Sequence, residues 1–156
     1  MAETVHPPGS LHMGNVADDL ATRAGPLHVV VVSPARPIFE GDARFVTVAA
    51  LEGQMGVWPR HADLVAALGT GRLRIGRAGD GEARFAISGG FIKVGDARVT
   101  ILVDRAVAAE DVDAAQAQAD LDEAKAALRH PATDEEFEKL LTARRWAQTR
   151  IRLAQQ

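Results

Sequence analysis

Five histidines, His6, His12, His28, His61 and His130, are the first residues whose chemistry needs placing. A metal centre needs several His, Cys, Asp or Glu side chains converging, usually at short fixed spacings on one element. No pair of these histidines has that spacing on an expected helix or strand, so they read as loop and surface residues. The chain has no cysteine, which removes disulfides, thiolate metal sites and thiol nucleophiles. Ser88, His61 and Asp63 are the residue types of a hydrolase triad. Ser88 lies in Ser88-Gly89-Gly90, however, without the strand-turn-helix context that lifts a nucleophile. The glycines at 69–76 and 88–90 read as turn or bulge residues. Neither stretch runs from a strand into a helix with the lysine a phosphate loop requires.

Recognition chemistry is better represented. Gly53-Gln54-Met55-Gly56-Val57-Trp58-Pro59-Arg60-His61 brings Met, Val and Trp together between glycines and a proline. Met55 and Val57 suit a core, and an apolar loop tip suits contact with another protein. Near the C-terminus, Arg144, Arg145, Arg150 and Arg152 form a basic stretch. It is either solvated or meets an acidic surface. The carboxylates of 110–123 read as a solvated face.

The whole chain bounds these readings. It has 156 residues, 18 basic against 21 acidic, for a net charge of −3. Length permits one domain with a small appendage. The charge argues against nucleic-acid binding through phosphate contacts. No stretch approaches the ~20 apolar residues of a membrane-spanning helix. Residues 1–25 carry Pro7, Pro8, Gly9, Gly14, Asp18 and Asp19 and no apolar signal core, and are expected to be a disordered tail.

Composition changes near residue 109. From 26 to 109, glycines punctuate β-type runs; from 110 to 156 there is no glycine, and alanine, acids and arginine dominate. Leu73 and Ile75, Phe85 and Ile87, and Val99, Ile101 and Val103 alternate with residues assigned to an opposite, outer face, among them Arg72, Arg74, Ala86, Ser88, Arg98 and Thr100. That is the period of half-buried strands. Turns are expected at Ser33-Pro34, Glu40-Gly41-Asp42, Gly69-Thr70-Gly71, Gly79-Asp80-Gly81, Gly89-Gly90 and Gly95-Asp96, with Asp80-Gly81 as a tight primed hairpin. The count is nine or ten short strands in a β-sandwich or flattened barrel.

Residues 111–129 and a segment from Thr133 onward are expected to be helices. Ala114, Ala117, Leu121, Ala124 and Leu128 form one stripe, and His130-Pro131 ends it. Thr133 with Glu136 makes a capping-box pattern for the second helix. Its inner face is assigned to Phe137, Leu140, Leu141, Arg144, Ala147, Ile151 and Ala154. A short connection makes the pair an antiparallel hairpin. Its narrow alanine stripe buries little, so the hairpin needs the β domain or a partner to lie against. The expected divisions are therefore 1–25, 26–109 and 110–156.

Taken in order, four segments resemble the epsilon subunits of F-type ATP synthase. They are Val31-Val32-Ser33 with Phe39-Glu40-Gly41; Glu52-Gly53-x-x-Gly56-x-x-Pro59-x-His61; Ser88-Gly89-Gly90-Phe91-Ile92-Lys93-Val94; and Val99-Thr100-Ile101-Leu102. An alanine-rich helical hairpin follows them, and the resemblance spans about 27–154. Gln54 stands where many members have glutamate, and Arg60 and Asp63 replace a common Gly and Pro.

The resemblance implies a non-catalytic subunit, peripheral on the cytoplasmic face of the bacterial plasma membrane. Its β domain would clamp the gamma subunit and rest on the c-subunit ring, with Gln54, Met55, Val57, Trp58 and His61 as the matching contact region. It also implies that Arg144, Arg145, Arg150 and Arg152 could meet acidic segments of the alpha and beta subunits and restrain ATP hydrolysis. Some relatives bind ATP in the hairpin through an (Ile/Leu)-Asp-x-x-Arg-Ala motif. Here Val112-Asp113-Ala114-Ala115-Gln116-Ala117 keeps the aspartate and loses the arginine. Asp113 and Arg150 are thus candidate but weak nucleotide contacts, and no cofactor is expected. A free-standing β-barrel enzyme or ligand-binding module with a helical dimerisation tail is the competing class.

Overall fold

The computed structural model describes residues 25–156. His6, His12 and most of the expected tail lie outside that range. Six strands come first: β1 (Leu27–Val32), β2 (Pro37–Ala50), β3 (Gly53–Val57), β4 (Leu64–Arg77), β5 (Glu82–Gly95) and β6 (Arg98–Ala108). A short 3-10 turn (Ala109–Asp111) leads to helices α1 (Ala114–Ala127) and α2 (Asp134–Ala154).

The strands pair in the order β1-β6-β5-β4-β2-β3, and β1 also pairs with β2. The sheet therefore closes on itself as a flattened barrel, with β3 as an added edge. Closure removes the free edges that an open sheet would expose. Only the β1–β6 pairing is parallel.

Six strands replace the nine or ten expected because three glycine-rich signals are not turns. Gly41 lies inside β2, Gly69 to Gly71 inside β4, and Gly89-Gly90 inside β5. Gly89 and Gly90 have φ of 73° and 116°. Pairing of β5 with β6 keeps one register from Ser88↔Arg105 to Gly90↔Val103, so the strand runs through both glycines with no residue inserted. Another correction concerns the primed turn. Asp80-Gly81 closes a four-residue connection, 78–81, whereas the two-residue turn is Asp96-Ala97, with φ of 53° and 58°.

The alternating apolar residues fill the barrel. Val29, Val31, Val46, Val48, Val57, Leu73, Ile75, Ile87, Ile92, Val99 and Ile101 are all fully enclosed. Ala86 and Ser88, assigned by alternation to an outer face, are also buried. The physical reason is that α2 lies across β4 and β5 and covers that face. Ser88 satisfies its hydroxyl with Thr70, Oγ to Oγ1 2.8 Å.

Both helices start where capping chemistry places them. The Asp113 carboxylate accepts from the Gln116 N–H at 3.0 Å. The Thr133 hydroxyl accepts from the Glu136 N–H at 3.0 Å, while Glu136 accepts from the Ala132 N–H at 2.7 Å. These caps satisfy donors that the first helical turn leaves open. Ala117, Leu121 and Ala124 are buried, as their stripe predicts. On α2 the stripe is only partly right. Ala147 is buried, but Phe137 is exposed, and the large buried residues are Trp146 and Leu153. The helix divides its apolar residues between α1 and the barrel, and a single stripe cannot express two partners.

Candidate functional site: two docking surfaces

The segment read as a loop is half strand. Gly53–Val57 pairs with β2 through Val48↔Met55 and Val46↔Val57. Val57 is fully enclosed, so its side chain packs the core and is not offered to a partner. Gln54 is exposed, Met55 half-buried, and Trp58 is 41% exposed. The Trp58 ring lies where a Cβ on Gly56 would project, so a larger residue at 56 would displace the exposed indole. The chain then turns, with the His61 N–H donating to the Trp58 carbonyl at 3.1 Å. Arg60 sits at φ 66°, the left-handed region that favours the glycine it replaces. His61 places Nδ1 2.8 Å from its neighbour's carbonyl, Ala62 O. It makes no hydrogen bond to Ser88, so the triad types are not joined.

Beside this strand lies a surface that sequence reading missed. Leu51, Val65, Phe91 and Leu102 are 71%, 69%, 58% and 51% exposed. Register explains their grouping. Phe91 pairs with Ala67 on β4 and with Leu102 on β6, and Leu102 pairs with Val32 on β1. The Leu51 N–H donates to the Ala67 carbonyl, which brings Leu51 onto the same row. Cross-strand partners share a face, so these residues form an apolar row across the outside of the barrel. A groove of about 670 Å3 between β3 and β4, lined by Leu51, Gln54, Met55 and Val65 among others, joins the row to the β3 edge. Contiguous apolar exposure of this kind marks a protein-contact surface. The available signal was alternation: Phe91 and Leu102 sit out of phase with the buried Ile92 and Ile101.

The basic helix is a separate element. Arg145 and Arg152 are exposed, and Arg144 is half-buried. Arg150 donates to Asp120 on α1, Nη2 to Oδ2 2.7 Å, with 13% of its side chain exposed. That hydrogen bond, with a second from Gln116, holds the Asp120 carboxyl below its usual range. The Arg105 guanidinium on β6 and that of Arg150 both lie over the Trp146 ring, Cζ to centroid 4.3 and 5.4 Å. Burial, then the nearby Arg150 charge, lowers the Arg105 pKa.

The two nucleotide candidates do not converge. Asp113 is committed to its cap, whereas Arg150 lines a cleft of about 330 Å3 with Arg105, Asp120 and Trp146. Gln116, in the place of the relatives' arginine, donates to Asp120 at 2.8 Å. Among the described residues no cluster of three His, Asp or Glu side chains could hold a metal ion. No helix among them is long and apolar enough to cross a membrane.

Comparison with known proteins agrees with this architecture. The family described as ATP synthase, delta/epsilon chain, beta-sandwich domain, matches residues 26–109. The ATP synthase epsilon chain of Bordetella parapertussis is 39% identical over 104 residues, 67% of this chain and 74% of that one. That of Brevibacillus brevis is 41% identical over 91 residues, 58% and 69% of the two chains. Among solved structures, a chain of the Euglena gracilis mitochondrial ATP synthase OSCP/F1/c-ring assembly superposes with a TM-score of 0.74 at 23% identity, covering 100% of this chain and 90% of that one. A chain of the Tetrahymena thermophila central stalk/c-ring assembly gives 0.60 at 16% identity, covering 82% and 96%. These two share its fold. On the strength of the sequence matches, the chain belongs to the ATP synthase delta/epsilon family and groups with its epsilon chains.

Proposed function

We propose that the chain is a non-catalytic subunit of the rotor stalk of an F-type ATP synthase. In this reading it grips the gamma subunit and rests on the c-subunit ring. The observation that carries the proposal is the apolar row Leu51, Val65, Phe91 and Leu102, continuous with the β3 edge. A surface this apolar is costly to leave in water and stable once covered. Membership of a family whose named members are ATP synthase subunits supports a neighbouring subunit of that enzyme as the cover. The solved neighbours come from F1/c-ring and central stalk/c-ring assemblies, which agrees with that partner set. The tip of this segment, with Gln54, Trp58 and His61, is the c-ring contact of this reading. The protein would then be peripheral, on the cytoplasmic side of a bacterial plasma membrane.

The hairpin supplies the regulatory half. Arg144, Arg145, Arg150 and Arg152 lie on one helix and would pair with acidic segments of the alpha and beta subunits, restraining ATP hydrolysis. No catalytic role is assigned to the chain. Nucleotide binding at Asp113 and Arg150 is expected to be weak or absent, and calorimetric titration with ATP checks it.

The test is reconstitution. Purified chain mixed with the gamma subunit of its parent enzyme should give a stable complex on gel filtration. ATPase rates of the assembled enzyme should be higher with a chain stopped after residue 109 than with the full chain. The barrel's main core is separate from the cluster under the hairpin, so the shortened chain keeps that core. Equal rates would remove the brake and leave the stalk role standing.

A further inference from the structure

We infer that Asp120, Arg150 and Trp146 form a latch that holds the helical hairpin on the barrel, with the Asp120 carboxylate as its keeper. The apolar part of the docking contact is small. Trp146 and Leu153 are the large α2 side chains in it, and they meet Ala86, Val107, Ala109 and Val112. Around the indole, charge is unbalanced. Arg105 comes from the barrel and Arg150 from the helix, and both guanidinium groups approach the same ring. Each cation–π contact is favourable, but the two cations repel each other.

One carboxylate answers them. Asp120 accepts from Arg150, and α1 carries it into the cleft beside Trp146. Glu123 also lines this cleft, and Glu138 lines a neighbouring one with Arg105. Neither accepts a hydrogen bond from Arg105 or Arg150. Arg150 has one further mark of sequestration: its Nε is buried without a hydrogen-bond partner. Donors left in that condition cost free energy that release to solvent would recover.

Asp120 therefore decides whether the docked state holds. With its charge present, Arg150 is drawn against α1, and Trp146 is shielded between helix and barrel. Without it, two guanidinium groups face one indole with no hydrogen-bonded counter-charge. The latch also makes Arg150 a shared resource. While it is held by Asp120, it is withheld from any acidic surface outside the hairpin. This inference rests on contacts within the chain and does not require the brake reading.

The test uses the full chain carrying Trp58→Phe, which leaves Trp146 as the single indole. Acrylamide, a neutral quencher, reports how far that indole is shielded. Asp120→Asn should raise the quenching constant at least about twofold, as the cleft opens. Asp120→Glu, which keeps the charge, should remain near the parent value. Far-ultraviolet circular dichroism checks that both variants keep the barrel and the helices. Unchanged quenching in Asp120→Asn overturns the inference. So does equal opening by Asp120→Glu, because the charge would then not be the keeper.

Discussion

The guanidinium of Arg105 on β6 lies over the indole of Trp146 on α2, 4.3 Å from Cζ to ring centroid. This contact ties the helical hairpin to the barrel across about forty residues of chain. It explains why alternation misassigned Ala86 and Ser88. The face that a two-layer reading gives to solvent is the floor on which α2 rests.

Removing the indole should therefore loosen the hairpin and spare the barrel. Trp146→Ala is expected to lower the stability of the docked helices by about 3 kcal/mol, the lower end for a buried aromatic. Hydrogen exchange would read it. Amides of α2 should lose protection, while those of β4 and β5 in the barrel core keep theirs.

Acid should weaken the same region. Hydrogen bonds from Arg150 and Gln116 lower the folded pKa of Asp120, and a hydrogen bond from Arg74 lowers that of Glu82. A carboxyl depressed in the folded state stabilises the fold above its unfolded pKa, about 4, and loses that contribution as pH falls through the folded value. Thermal melts between pH 6 and pH 2 should show progressive loss below about pH 4. Asp120→Asn should flatten the part of that loss that belongs to the hairpin.

The turn at Asp96-Ala97 carries a residue in an unfavourable conformation. Ala97 has φ 58°, where its Cβ crowds the following carbonyl. Ala97→Gly should raise stability by about 0.5–1 kcal/mol, with the strain relieved exceeding the added entropy of the unfolded chain. A urea titration with unchanged slope and a higher midpoint is the expected result.

Gly90 should tolerate nothing larger. A Cβ there would collide with the Leu102 carbonyl oxygen, and φ is 116°. Because the obstacle is backbone, Gly90→Ala is expected to cost more than about 3 kcal/mol or to abolish soluble expression. The midpoint of urea unfolding, or the soluble fraction, measures it.

Sequence pattern carried the closed β architecture, the core residues of β4, β5 and β6, and the Thr133 cap of α2, while the start of α1 was set too early, at 111 rather than after its Asp113 cap. These depend on periodicity and on capping chemistry, which are local. Strand number was not legible, because Gly41, Gly71 and Gly89 look alike as letters whether they turn a chain or let it pass close to a neighbour. The contact surface was half legible. Met55 and Trp58 stand out by composition, while Val65, Phe91 and Leu102 become one row only when register is known. Trp146 was missed because its partners, Arg105 and Ala86, are distant in sequence.

The account turns most directly on the apolar row. Phe91→Asp with Leu102→Asp places two charges on exposed positions, so the isolated chain should keep its circular dichroism spectrum and melting behaviour. Gel filtration with the gamma subunit should then show loss of the complex that the parent chain forms, a weakening of at least about a hundredfold. Retention of that complex by the double variant, or failure of the parent chain to form one, would contradict the account.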